Sequence, residues 1–356
     1  VFIDILKNVT AEKAEYTPLP KSEHKNSGRL QTLMKRSSFD FKPAEPNEHD
    51  VETLVSMIKE SKKPLLICGG GVVRGRAHKE FAEFAEKIDA PVAITVMGAG
   101  GFVGRNPLTT GMIGMHGSQA SNMACDGCDL LIAVGCRFSD RVALNPNSFA
   151  KQAKIVQIDI DRAEINKNVK TDHHIVGDAK VVLSLLNEKL EREDHTEWKK
   201  YVFSYKTETE YEEDGKTLTP KQILSTIARL LPEDTVVSTD VGQHQMFTTQ
   251  YLALNEKKQL LTSGGLGTMG YGFPGAIGAK LGNPDTPVIM ISGDGGMQMN
   301  IQEFATAVLQ ELPVILCVFN NTYLGMVRQW QKLFYGKRYS MTCLRAGKAC
   351  EGKCGT

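Results

Sequence analysis

The sequence predicts an α/β protein of two tandem doubly wound parallel-sheet domains, on three observations. Its strand-like runs, at 64–71 and 288–292 for example, are almost wholly apolar rather than alternating, as strands buried on both faces are. These runs alternate with stretches of helical periodicity, the pattern of a parallel sheet covered by helices. The length of 356 residues corresponds to two domains at roughly 150 each.

The elements follow in order. Residues 1–9 open on the apolar Val1-Phe2-Ile3-Asp4-Ile5 and read as the last strand of a further domain. Residues 10–47 are polar, carry Pro18, Pro20, Pro43 and Pro46, and read as a linker. The first unit spans 48–190, with helices expected over 51–59, 77–88, 118–125 and 179–190, and strands over 64–71, 91–95, 129–138 and 154–161. Residues 191–217 are dense in Glu, Asp, Lys and Thr and read as a second linker. The second unit, 218–356, has helices expected over 221–231, 243–252, 274–281 and 301–309. Strands are expected over 235–241, 287–292 and 313–319, with a Gly-rich stretch at 264–272. The absence of an initiator Met and the abrupt close at Cys354-Gly355-Thr356 predict a fragment whose second unit is incomplete.

Composition excludes several classes of function. Lys plus Arg is 42 and Asp plus Glu is 41, a net charge of +1, so nucleic acid and anionic membranes are not expected partners. Apolar residues make up 41 %, too many for a disordered chain, and no run approaches the roughly 18 apolar residues of a membrane span. A soluble, cytoplasmic protein is expected. The eight cysteines include Cys68, Cys125, Cys128, Cys136 and Cys317 in or beside apolar runs, which suits reduced thiols. Cys125 and Cys128 form a single pair with no second pair nearby, so two buried thiols are expected rather than zinc. Cys343, Cys350 and Cys354 by themselves support neither a metal site nor a disulfide.

The chemistry concentrates in the second unit. The run at 288–292 leads into Gly293-Asp294-Gly295-Gly296, and the run at 313–319 leads into Asn320-Asn321, with 24 residues between Gly295 and Asn320. A strand, crossover and parallel return strand bring both ends to one sheet edge, where ligands bind. The Asp294 carboxylate and an Asn321 amide oxygen would then share one point, a hard oxygen set suited to Mg²⁺ held jointly with a diphosphate. A turn Asp beside a capping Asn pair is the plainer alternative.

The motif resembles that of the thiamine diphosphate enzymes, and the resemblance narrows along the chain. Val241-Gly242-Gln243-His244-Gln245-Met246, the stretch from Thr262 through Gly264-Gly265-Leu266-Gly267-Thr268-Met269 to Gly272, and Leu324-Gly325-Met326-Val327-Arg328-Gln329-Trp330-Gln331 are similar to the acetohydroxyacid synthase (acetolactate synthase) catalytic subunits. So are Leu333-Phe334-Tyr335 and Arg338-Tyr339-Ser340. The resemblance implies that Asp294, Asn321 and the Tyr323 carbonyl bind Mg²⁺. Gly242, Gln243, His244, Gly293, Gly295, Gly296 and Gly325 would then surround the thiamine diphosphate. It further implies that Met269 wedges beneath the cofactor, that the Gly267 carbonyl holds its amine, and that Met326 and Trp330 line the substrate pocket. Outside this run Met269 would read as core filler, Trp330 as helix packing and His244 as a structural histidine. Lys7 matches a lysine at the pocket entrance, although Leu6 and Asn8 stand where the family has Pro and Asp.

In the first unit, Gly69-Gly70-Gly71 after an apolar strand marks a place where a backbone can come close to a ligand. Arg137 and Arg141 supply cations for a pyrophosphate, and Asp159 at a strand end suits a ribose hydroxyl. These stretches resemble the family's central FAD domain. The implied FAD residues are Gly70, Gly71, Thr95, Met115, His116, Gly135, Arg137, Arg141, Asp159, Ile160 and Asp178, around a flavin with no redox task. An NAD-binding domain, or one without a ligand, is the alternative.

The implied reaction is decarboxylating condensation of pyruvate with pyruvate or 2-oxobutanoate, in branched-chain amino acid biosynthesis. The cofactor serves as electron sink. A homodimer or homotetramer and a small regulatory subunit are the implied partners. The family's activating glutamate lies in an N-terminal domain that this sequence lacks, so the chain alone is expected to be inactive. Another thiamine diphosphate enzyme, of pyruvate oxidase or glyoxylate carboligase type, and a non-enzymatic nucleotide-binding module are the rival readings.

Overall fold

The computed structural model describes residues 43–102, 106–206 and 218–344. The expectations placed on residues 1–42, Lys7 among them, and on Cys350 and Cys354 lie outside this range.

The first unit is a six-stranded, wholly parallel sheet of order β3-β2-β1-β4-β5-β6. Its strands are β1 (Pro64–Cys68), β2 (Val92–Ile94), β3 (Thr109–Met112), β4 (Leu130–Val134), β5 (Lys154–Asp159) and β6 (His173–Val176). The helices are α1 (Glu48–Glu60), α2 (Gly70–Arg74), α3 (His78–Lys87), α4 (Gln119–Gly127), α5 (Ala179–Lys189) and α6 (Thr196–Phe203). Successive strand residues serve opposite faces. Leu66 and Cys68 join one core with Val51, Leu54, Phe81 and Leu186 from α1, α3 and α5. Leu65 and Ile67 join another with Ala120, Ala124, Trp198 and Val202 from α4 and α6. That two-sided burial is why these strands carry no polar alternation. The chain leaves β1 first toward β2 and β3 and then crosses to β4, so the strand order switches between β1 and β4.

The structure departs from the sequence reading in definite places. The stretch expected as a linker over 191–217 contains α6, whose Trp198 is buried and donates its Nε1–H to the Pro64 carbonyl at 2.9 Å. Two large apolar residues at i and i+4 suffice to dock this helix, and the surrounding charges hid them. The strands expected over 64–71 and 129–138 end at Cys68 and Val134, because helix α2 starts at Gly70 and Gly135 turns the chain at φ +59°. Strands β3 and β6, short and partly polar, went unread.

The second unit is a four-stranded parallel sheet of order β10-β9-β7-β8. Its strands are β7 (Val236–Thr239), β8 (Leu260–Thr262), β9 (Val288–Gly293) and β10 (Ile315–Phe319). The helices are α7 (Pro220–Leu230), α8 (Gln243–Tyr251), α9 (Gly272–Gly282), α10 (Asp294–Met299), α11 (Phe304–Leu309) and α12 (Gly325–Phe334). Thr219 and Gln222 form a capping box at the start of α7. Val288 and Met290 face the α9 side with Phe273 and Ala276, while Ile289 and Ile291 face the α7 side with Leu224. The helix expected over 301–309 is a 3₁₀ turn (Ile301–Glu303) followed by α11, and a separate short helix, α10, begins at Asp294 itself. Among the described residues no helix is long and apolar enough to cross a membrane.

Candidate functional site

Because the second sheet is parallel, the carboxyl ends of β7, β8, β9 and β10 share one edge. Strand β7 runs through Asp240-Val241-Gly242 into α8. Strand β9 ends at Gly293, paired with Phe319 of β10, and Asn320-Asn321 follow. The turns touch. A Cβ on Gly293 would lie 3.0 Å from His244 Nδ1, so the imidazole fills the gap between the β7 and β9 turns. A Cβ on Gly325 would lie 2.1 Å from Gln243 Oε1 and 2.9 Å from Asn321 Nδ2. One on Gly295 would lie 2.8 Å from Leu324 Cδ2 and 3.8 Å from Met269 Cε. Gly242, Gln243, His244, Gly293, Gly295, Asn321, Gly325 and Met269 are thus brought into one cradle. Gly267, at φ +67°, sits on the exposed part of the loop that carries Met269.

Helices α8 and α12 start at this cradle without a side-chain cap, and in the first turn of α8 the Gln245 N–H donates to the Gly242 carbonyl at 3.1 Å. His244 is 6 % exposed, and its Nε2 is buried without a partner. Burial pushes its pKa down to about 4, against the pull of Asp240 and Asp294, so the ring is neutral near pH 7. A neutral imidazole offers one donor and one acceptor.

For a cation the residues present are oxygen donors. Among the described residues no three His, Cys, Asp or Glu side chains cluster as a metal site, so a metal here requires a mixed set. Asp294 opens α10, and Asn321 Oδ1 accepts the Tyr323 N–H at 2.9 Å and retains a second lone pair. The segment around Tyr323 is tied to the stretch 342–344 by backbone hydrogen bonds. Leu324 N donates to the Thr342 carbonyl and Leu344 N to the Thr322 carbonyl, both at 2.8 Å. The Arg328 guanidinium lies 4.5 Å from the Tyr323 ring and 4.0 Å from that of Tyr339.

Beside the cradle, Met326 and Trp330 on α12 line a cavity of about 680 Å³ with Arg141 of the first unit. Arg141 pairs with Asp140 at 2.6 Å and lies 5.8 Å from the Trp330 ring, so it serves this cavity as well as the first sheet's edge.

Sequence reasoning missed Asp240. It is fully buried at the end of β7 and accepts the Val241 N–H at 2.8 Å, the Gly270 N–H at 2.9 Å and the Gly272 N–H at 2.9 Å. The signal available was an unexplained acid two residues before Gly242. Gly296, assigned to the cofactor, has its Cβ position 2.4 Å from Asp240 Oδ1, so its missing side chain is required by Asp240.

The first-unit residues lie along the carboxyl edge of their own sheet, and several have structural employment there. The glycines after β1 face the β4 turn: a Cβ on Gly71 would lie 2.5 Å from Gly135 Cα, so the expected room for a ligand is taken by the chain itself. Gly70 begins α2 beside Met97. Thr95 caps the 3₁₀ turn that follows it, and Asp178 caps α5. Met115 N donates to the Arg141 carbonyl at 3.0 Å, and the His116 carbonyl accepts from Gln250 of α8 at 3.0 Å. Burial, then Arg141, lowers the His116 pKa, and burial raises that of Asp159 although the Asp161 N–H opposes it. Ile160 is 37 % exposed, and the Cβ position of Gly265 lies 3.5 Å from Arg137 Nη2. Cys125 and Cys128 are buried free thiols; burial moves the Cys125 pKa up to about 12 and that of Cys128 well above its ordinary value.

Comparison with known proteins accords with this geometry. Residues 51–186 match the model of the thiamine pyrophosphate enzyme central domain, and residues 240–349 that of the C-terminal TPP binding domain. A probable acetolactate synthase large subunit of Methanocaldococcus jannaschii is 44 % identical over 301 residues, covering 82 % of this chain and 51 % of that protein. The acetolactate synthase large subunit of Corynebacterium glutamicum is 40 % identical over 353 residues, 97 % of this chain and 54 % of its own. Chloroplastic acetolactate synthase 2 of Nicotiana tabacum is 42 % identical over 316 residues, 85 % of this chain and 46 % of its own. The chain spans about half the length of the curated relatives it matches.

Proposed function

Because the chain belongs to the thiamine pyrophosphate enzymes and carries their central and C-terminal domains in tandem, we propose that it is the corresponding part of an acetolactate synthase large subunit. The whole protein then condenses pyruvate, with loss of CO₂, onto a second pyruvate or 2-oxobutanoate. The observation that carries the proposal is the meeting of the Gly-Asp-Gly and Asn-Asn strand ends at Gln243 and His244.

In this reading Asp294, Asn321 and the Tyr323 carbonyl hold Mg²⁺ together with the diphosphate. Gln243, the neutral His244 and the first turns of α8 and α12 hold the diphosphate itself. When bound, thiamine diphosphate supplies a thiazolium that accepts the electron pair left by decarboxylation. The chain's own part is to bind and orient: Met269 and Gly267 face the ring half, and Met326 and Trp330 give the second keto acid an apolar wall. Arg141 in that wall offers a cation to its carboxylate.

FAD, proposed as a structural ligand, would lie along the first sheet's edge, where Gly135, Arg137, Asp159 and Ile160 leave consecutive strands. Relatives named as large subunits support pairing with a smaller regulatory chain, and self-association belongs to the same proposal. Calorimetric titration with thiamine diphosphate tests the reading. Binding is expected with Mg²⁺, lost with a chelator and lost in Asp294→Ala; absence of Mg²⁺-dependent binding would refute it.

A further inference from the structure

The Asp240 carboxylate is buried, yet backbone groups rather than a cation satisfy it, and such charge-assisted bonds are strong. Two of its three donors, the Gly270 and Gly272 N–H groups, lie where the distant loop from β8 enters α9. The same two residues are held through their carbonyls as well. Asn300 Nδ2 donates to the Gly270 carbonyl and Ser238 Oγ to the Gly272 carbonyl, both at 2.8 Å. A Cβ on Gly272 would fall 2.6 Å from Asp240 N, so the loop root is packed as tightly as it is bonded. Beyond this root the loop is exposed from Gly264 to Thr268. Met269 is the residue adjoining the clamp, and its Cε reaches the Gly295 side of the cradle.

We infer that Asp240 is a positioning residue, which sets the height of Met269 over the cradle through the Gly270 and Gly272 N–H groups. This rests on the reading above that Met269 and Gly267 face the ring half of thiamine diphosphate. Asp240 therefore governs the grip on the rings and leaves the grip on the diphosphate to Gln243, His244, Asp294 and Asn321.

The test is calorimetry on the full chain in Mg²⁺, with thiamine diphosphate and separately with inorganic pyrophosphate. Asp240→Asn replaces one acceptor oxygen by an amide donor that faces a backbone N–H. It is expected to weaken thiamine diphosphate at least tenfold and pyrophosphate less than twofold. Asn300→Ala loosens the same root from the less buried side, without touching the carboxylate, and is expected to show the same selectivity at about threefold. If Asp240→Asn does not fold, the Asn300→Ala result decides. Equal weakening toward both ligands would make Asp240 an ordinary structural residue and overturn the inference, as would unchanged thiamine diphosphate affinity in a folded variant. A native chain that binds neither ligand overturns the reading of the site itself, a result distinct from either of these.

Discussion

Replacing His244 by Gln should remove a defined part of the protein's acid sensitivity. In the unfolded chain an imidazole takes up its proton near pH 6.5, whereas in the fold this one does so only near pH 4. Between those values the unfolded state binds the extra proton, so stability rises with pH there. The contribution is fully present above pH 6.5, is lost as the pH falls toward 4, and is level below. At about 1.4 kcal/mol per pH unit, the gap amounts to about 3 kcal/mol. His244 is 6 % exposed, so solvent screening removes little of it. His78 and His116 also have lowered pKa values, and for that reason the comparison must be with the variant rather than with the absolute profile. Urea unfolding at pH 7, 6, 5 and 4 provides the assay. Trp330 fluorescence reports the second unit once Trp198→Phe silences the other of the two tryptophans. The native chain should lose about 3 kcal/mol more than His244→Gln between pH 7 and pH 4. Parallel profiles, or a native chain that gains on acidification, would refute the argument that burial controls this ring.

Two further substitutions separate site from scaffold. Gly325→Ala places a methyl 2.1 Å from Gln243 Oε1, the far end of a flexible side chain. It should cost about tenfold in thiamine diphosphate affinity by calorimetry, with the melting temperature nearly unchanged. Trp198→Ala removes a buried ring and its bond to the Pro64 carbonyl, so unfolding followed by circular dichroism should show a loss of about 3–5 kcal/mol. Trp198→Phe should lose nearer 1 kcal/mol, the worth of the hydrogen bond.

What could be read from the sequence follows from how each element is stabilised. Strands β1, β4 and β9 are buried on both faces and announce themselves as apolar runs. Strands β3, β6 and β8 have three or four residues, some polar, and exist because a neighbouring strand offers a ladder; nothing local marks them. The same division holds at the site. The meeting of the β9 and β10 ends, which lead into Asp294 and Asn321, was legible because a parallel crossover forces two strand ends together, which is topology. Asp240 was not, because two of its three partners are backbone N–H groups some thirty residues away and leave no side-chain signature. The glycines were half legible. Close approach was foreseen at Gly71, but the approaching group is the Gly135 backbone.

The loop held by Asp240 also reaches the first unit. A Cβ on Gly264 would lie 2.5 Å from Met97 Sδ and 3.3 Å from Val96 Cγ1, both just beyond β2 of the first unit. The neighbouring Gly265 lies against Arg137, beyond β4, and α8 reaches across through Gln250 to the His116 carbonyl. The loop is therefore held at two places, at its α9 end by a buried carboxylate of the second sheet and near its β8 end, at Gly264 and Gly265, by contact with residues beyond the strand ends of the first. Met269 lies between the two places. A displacement of Met97 or Arg137 would therefore bear on the Gly264–Gly265 end of the loop, and so on the placement of Met269.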